Sequence, residues 1–213
     1  MIKTRKQILF YGDSNTYGYD PAGFMGGRYP RQQRWTGILA ERLAGEWEIA
    51  ADGMPGRMIP GNAYSIEIAL DAVKADGPMD LFAVMLGTND LLNQRHPYSP
   101  AVAARMQKLL DSAQESLTAK ILLIAPPQIR FTDPSCTDPF VRGDAAYANG
   151  CRKESIRLAQ HYRALAAGRG IFWADASSWD LGFSFDGVHL SEEGHETFAG
   201  EMAKILQKIE KEL

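Results

Sequence analysis

Apolar residues along this chain fall into short consecutive runs separated by longer stretches with helical spacing. The runs at 7–11, 47–51, 80–86, 120–125 and 170–174 are bounded by turn residues, which predicts buried strands. Between them, 35–43, 62–75, 100–117 and 144–167 repeat apolar positions every three or four residues, as a helix face does. A final helix is expected over about 192–212, where Phe198, Met202, Ile205, Leu206 and Ile209 form one stripe. Ser191 suits its N-cap, and Glu192 and Glu193 suit the positive end of its dipole. Strands alternating with helices imply an α/β chain whose parallel sheet of about five strands is covered on both faces. No repeat, low-complexity tract or linker interrupts the pattern, so residues 1–213 read as one domain.

Two irregular stretches stand out, 17–34 (rich in Gly) and 126–143 (rich in Pro and Asp). Ligands of parallel sheets bind beyond the carboxyl ends of the strands. Both stretches are therefore candidate pocket walls, or else long surface loops. Four short segments fall on that same edge: Gly12-Asp13-Ser14-Asn15, Gly53-Met54-Pro55-Gly56-Arg57, Gly87-Thr88-Asn89-Asp90 and Asp186-Gly187-Val188-His189. Each is commonplace alone, since glycines mark turns and Asn-Asp often caps the next element. Together they supply the parts of acyl transfer.

A serine hydroxyl attacks an ester only if a base takes its proton. Ser14, at a strand-to-helix turn, would have an exposed side chain and a free backbone N–H. His189 is the natural base. Asp186, three residues earlier in a tight turn, can orient the imidazole and stabilise its cation. The backbone N–H groups of Ser14 and Gly56 and the Asn89 amide are candidate oxyanion donors. Gly53 competes with Gly56, which is preferred for its offset from the strand end. Asp13, Asn15, Trp35, His96 and Val188 are candidate substrate contacts, although a solvent-exposed loop histidine is the plainer reading of His96. His195 is a rival base but lacks an Asp placed like Asp186. Arg57 and Asp90 read as structural ion-pair partners rather than catalytic groups.

Composition narrows the partners. The 213 residues are 45% hydrophobic and 23% charged, with 23 Lys and Arg against 26 Asp and Glu, a net charge of −3. That is ordinary for a folded chain and lacks the clustered cations that nucleic acid demands. A small-molecule ester is the expected partner, without nucleic acid or membrane. Lys3, Arg5 and Lys6 resemble a signal n-region, but Gly12-Asp13 ends the apolar run after them, and a cytosolic location is expected. Cys136 and Cys151 have no metal-like spacing and read as thiols rather than a disulfide. No His, Cys and Asp grouping has ligand spacing, so neither metal nor other cofactor is expected.

Ser, Gly, Asn and His in this order, within the blocks GDSN, GMPGR, GTND and DGVH, resemble the SGNH (GDSL-like) hydrolase superfamily. The resemblance runs from Gly12 to His189. It implies a three-layer α/β/α sandwich, Ser14, Gly56, Asn89 and His189 in the roles above, and Asp186 as triad acid. Arg34-Trp35-Thr36-Gly37 and Met85-Leu86-Gly87-Thr88-Asn89-Asp90 look like its arylesterase and acyltransferase branch. That branch handles small acyl groups, acetyl especially, and includes homo-oligomers; carbohydrate acetyl esterases belong to the same superfamily. The usual GDSL block has Leu where this chain has Asn15.

Two other readings compete. An α/β-hydrolase elbow needs glycine where Thr16 stands. Ser14-Asn15-Thr16-Tyr17-Gly18 also looks like the phosphate-cradling loop of a flavodoxin-like FMN module. Asp13 beside a dianion would be unfavourable there, and Asn89, Asp186 and His189 would be left without a purpose.

Overall fold

The computed structural model describes residues 5–23, 27–131 and 145–213. Its elements run β1 (Lys6–Gly12), α1 (Ser14–Tyr17), β2 (Tyr19–Asp20), β3 (Gly27–Arg28), α2 (Trp35–Arg42), β4 (Trp47–Gly53) and α3 (Ala63–Ala75). There follow β5 (Leu81–Met85), α4 (Thr88–Leu92), α5 (Ser99–Ser116), β6 (Lys120–Ala125), α6 (Ala145–Arg169), β7 (Phe172–Asp175) and α7 (Glu192–Ile209). Five strands form a parallel sheet in the order β4-β1-β5-β6-β7. β2 and β3 make a separate two-stranded ribbon.

Strand alternation sends successive side chains to opposite faces and so builds two cores. Leu9, Tyr11, Phe82, Val84 and Leu123 pack with α3, α5 and α6 through Leu70, Met106, Leu110, Leu158 and Tyr162. Ile8, Phe10, Leu81, Ala83 and Leu122 pack on the other face with Trp35 and Leu39 of α2 and Phe198, Met202 and Leu206 of α7. This is the expected three-layer α/β/α sandwich. Each fully buried Leu, Ile or Phe contributes about 1.5–3 kcal/mol.

The caps follow local chemistry. Ser191 Oγ accepts the Gly194 N–H at 3.1 Å and starts α7. Asn62 and Ser65 exchange hydrogen bonds in a capping box that starts α3. Two expectations of buried strands need correcting: β7 is an edge strand that starts at Phe172 and buries only Ala174, and β4 buries only Trp47. β4 is the other edge strand, with Glu48, Ala50 and Ala51 exposed, and it extends to Gly53.

Register places the site. Gly12 at the end of β1 pairs with Gly53 of β4 and Met85 of β5. The segments carrying Ser14, Gly56 and Asn89 therefore leave the sheet side by side. Most of the irregular stretch at 126–143 lies outside the described residues, as does Cys136; Cys151 is buried in α6.

Candidate active site

Ser14 opens α1 directly after its N-cap. Asp13 supplies that cap, its carboxylate accepting the Asn15 N–H at 3.0 Å. The Ser14 hydroxyl is thereby held at the sheet edge. Its partner comes from the far end of the chain: His189 Nε2 lies 2.9 Å from Ser14 Oγ, across 175 positions.

The turn that carries His189 is built around Asp186. One carboxylate oxygen, Oδ1, accepts the backbone N–H groups of Val188 and His189, each at 3.0 Å. The other, Oδ2, lies 2.5 Å from His189 Nδ1. An ionised carboxylate only accepts, so Nδ1 carries the proton and Nε2 is left to take the Ser14 hydroxyl proton. Burial pushes the Asp186 carboxyl upward, but the bonds and charge of His189 outweigh it and hold the group below its ordinary range. Gly187 makes the turn possible. Its φ is +66°, and a Cβ there would sit 1.8 Å from the Arg130 carbonyl oxygen.

Ser14, Gly56, Asn89, Asp186 and His189 all line one cavity of about 280 Å³. Gly56, at φ +77°, has open space where a side chain would stand. Gly53 does not line the cavity; it packs against α1, where a Cβ would meet the Tyr17 backbone nitrogen at 2.2 Å. Asn89 sits in the first turn of α4 and donates from Nδ2 to the Arg57 carbonyl at 3.1 Å. That bond uses one of its two amide hydrogens.

Tyr19, Pro55, Leu92, Asn93 and Val188 complete the wall. Of these, Val188 is the residue the sequence names as a contact, while Tyr19 falls in the stretch 17–34 expected to wall the pocket and Pro55 in the second glycine block. Tyr19 also packs on the imidazole of His189, ring centroids 4.7 Å apart. Its position in a glycine-rich stretch gave no periodic signal that could have singled it out.

Three expected substrate contacts are corrected by burial. Asp13 is 1% exposed beneath Ser14, where burial raises its carboxyl to about 6. Asn15 is buried and bonded to the backbone of residues 188 and 190. Trp35 is fully enclosed between Phe10 and Phe198, its indole N–H donating to the Asn15 carbonyl at 2.8 Å. None of the three lines the cavity. His96 is exposed on the loop between α4 and α5 and does not line it either.

The rival base, His195, is fully buried against Trp35 and Tyr29, away from the cavity wall. Burial lowers it to about 4. Arg57 and Asp90 have structural partners, though not each other. Arg57 bonds Asp52 and the Gly12 carbonyl, while Asp90 accepts from the Ile59 N–H and Arg105. A phosphate cradle finds no support in this geometry. The Ser14 hydroxyl faces an imidazole, and a buried carboxylate caps the single turn of α1.

Residues 10–197 match the GDSL-like lipase/acylhydrolase family. A GDSL lipase of Mycobacterium tuberculosis is 26% identical over 204 residues, covering 93% of this chain and 80% of the relative. A carbohydrate acetylesterase of Sinorhizobium meliloti is 27% identical with a TM-score of 0.80, covering 96% of this chain and 100% of that one. The aryl esterase of M. smegmatis, 24% identical with a TM-score of 0.78 over 95% of this chain and 99% of that one, shares the fold. No helix among the described residues is long and apolar enough to cross a membrane. The chain belongs to the GDSL-like lipase/acylhydrolase family and is an ester hydrolase of the SGNH type.

Proposed function

We propose that this hydrolase removes or transfers short acyl groups, acetyl foremost, from small carboxylic esters through an acyl-enzyme on Ser14. The observation that carries the reading is the chain Asp186–His189–Ser14, joined at 2.5 and 2.9 Å and opening onto the cavity that Gly56 and Asn89 also line.

Ser14 Oγ bonds to the ester carbonyl carbon as its proton passes to His189 Nε2. Asp186 keeps the imidazole in the productive tautomer and stabilises its positive charge. The Ser14 and Gly56 N–H groups and the free amide hydrogen of Asn89 receive the developing oxyanion. Collapse breaks the bond to the leaving alkoxide, which takes the proton from His189. A water, or a second alcohol, then gives its proton to His189 and attacks the acyl carbon, and Ser14 leaves with that proton.

The resemblance of residues 34–37 and 85–90 to the arylesterase and acyltransferase branch, whose acyl groups are small, supports the short-acyl reading. An acetylated sugar is a second reading, favoured by the likeness to a carbohydrate acetylesterase and by Asn93 at the wall. Turnover of p-nitrophenyl acetate, butyrate and octanoate beside acetylated sugars and xylan tests both. We expect kcat/KM to be highest for acetyl and to fall with chain length. A preference for octanoate would contradict the short-acyl reading.

A further inference from the structure

Asn15 is 3% exposed and has no part in the cavity wall, yet every polar group it carries is bonded. Its N–H donates to Asp13 Oδ1 at 3.0 Å, and its carbonyl accepts the Trp35 indole N–H at 2.8 Å. Its side chain turns to the segment bearing the histidine. Nδ2 donates to the Val188 carbonyl at 3.1 Å, and Oδ1 accepts the Leu190 N–H at 3.0 Å.

Those two backbone groups bracket His189. A side-chain amide bonded to the carbonyl of one residue and the N–H of the second residue after it replaces a strand partner. A slip of one position along the segment would break both bonds. Among the described residues, the other backbone hydrogen bonds of this segment hold it to itself and to the start of the loop after β6. Ser184 N–H donates to the His189 carbonyl at 2.8 Å, and Arg130 N–H donates to the Gly187 carbonyl at 2.7 Å. Asn15 instead ties it to the residue that follows the nucleophile. Ser14 and Asn15, consecutive in α1, thus close a short ring with residues 188–190 through one side chain each.

We infer that Asn15 is a positioning residue, its amide setting the separation of His189 Nε2 from Ser14 Oγ. The inference rests on the reading of Ser14 as nucleophile and His189 as base. A displacement of about 1 Å at such a contact costs on the order of 10²-fold in rate. Asn15→Ala removes both bonds, whereas Asn15→Asp keeps an acceptor for the Leu190 N–H.

The test combines thermal unfolding, kcat and KM on p-nitrophenyl acetate, and ring-nitrogen NMR of His189. We expect both variants to fold and KM to hold steady. Loss of kcat should approach about 10²-fold in Asn15→Ala and be smaller in Asn15→Asp. His189 Nε2 should lose its hydrogen-bonded signature while Nδ1–H stays on Asp186. A rise in KM alone would make Asn15 a substrate contact and overturn the inference. So would wild-type kcat in Asn15→Ala, or a loss of kcat with the Nε2 signal unmoved. Failure of both variants to fold would overturn it too, by making the amide a requirement of the fold. If the wild-type enzyme turns over no ester, the reading of the site fails instead, and the ring signals still decide the positioning role.

Discussion

Asp186 grips His189 twice, through the backbone N–H with Oδ1 and through the imidazole Nδ1 with Oδ2. The first bond fixes the turn and the second fixes the tautomer. In Asp186→Asn the amide can still accept in the turn, but facing Nδ1 with its NH₂ it favours the unproductive tautomer. We expect kcat to fall by about 10⁴-fold with little change in KM. Steady-state kinetics on p-nitrophenyl acetate check this. A loss smaller than about tenfold would remove Asp186 from the mechanism.

Asn89 holds the Arg57 carbonyl with one amide hydrogen and has the other for the cavity. Asn89→Ala should lower kcat by roughly 10²–10³-fold, the usual consequence of losing one oxyanion donor. An effect confined to KM would make Asn89 a binding residue.

Gly187 combines a positive φ with a Cβ position that overlaps the Arg130 carbonyl. Gly187→Ala must shift the turn that carries Asp186 and His189. Denaturant unfolding should show a loss of at least about 1–3 kcal/mol, and the folded fraction should have reduced kcat. Unchanged stability and turnover would show that the turn yields without consequence.

Asp13 and His195 give opposing pH dependences of stability. Burial raises Asp13 from its ordinary 3.8 to about 6, offset in part by the Asn15 N–H bond. The folded chain retains a proton there that the unfolded chain releases. That contribution is full below about 3.8 and is lost as pH rises through 6. Burial lowers His195 from 6.5 to about 4, so its contribution is full above 6.5 and is lost as pH falls through 4. Asp13→Asn keeps an N-cap acceptor and removes the first slope. Its stability relative to wild type should rise between about pH 4 and 6, by roughly 3 kcal/mol at most. His195→Gln should gain relative to wild type as pH falls over the same window. Urea unfolding across that range checks both signs, and parallel curves for Asp13→Asn and wild type would contradict the first.

Much of this is legible in the sequence. The runs at 7–11 and 120–125 became central strands because consecutive apolar residues suit a sheet buried on both faces. The stripe through Phe198, Met202 and Leu206 became the inner face of α7. The run that becomes β4 reads as buried because its alanines are apolar wherever they stand, and periodicity carries no strand order. At the site, Ser14, Gly56, Asn89, Asp186 and His189 share one cavity because each follows a strand end or the last loop. Asn15 and Trp35 were misplaced because sequence does not tell a side chain aimed at the cavity from one aimed behind it. The ring contact of Tyr19 with His189 depends on the path of the β2–β3 ribbon, which no local pattern encodes.

The central claim is that the Ser14 hydroxyl, activated by His189, is the nucleophile. Reaction with a fluorophosphonate followed by peptide mass spectrometry tests it most directly. We expect a single adduct on Ser14, abolished in Ser14→Ala and strongly slowed in His189→Ala. An adduct on another residue, or undiminished labelling of Ser14→Ala, would contradict the account.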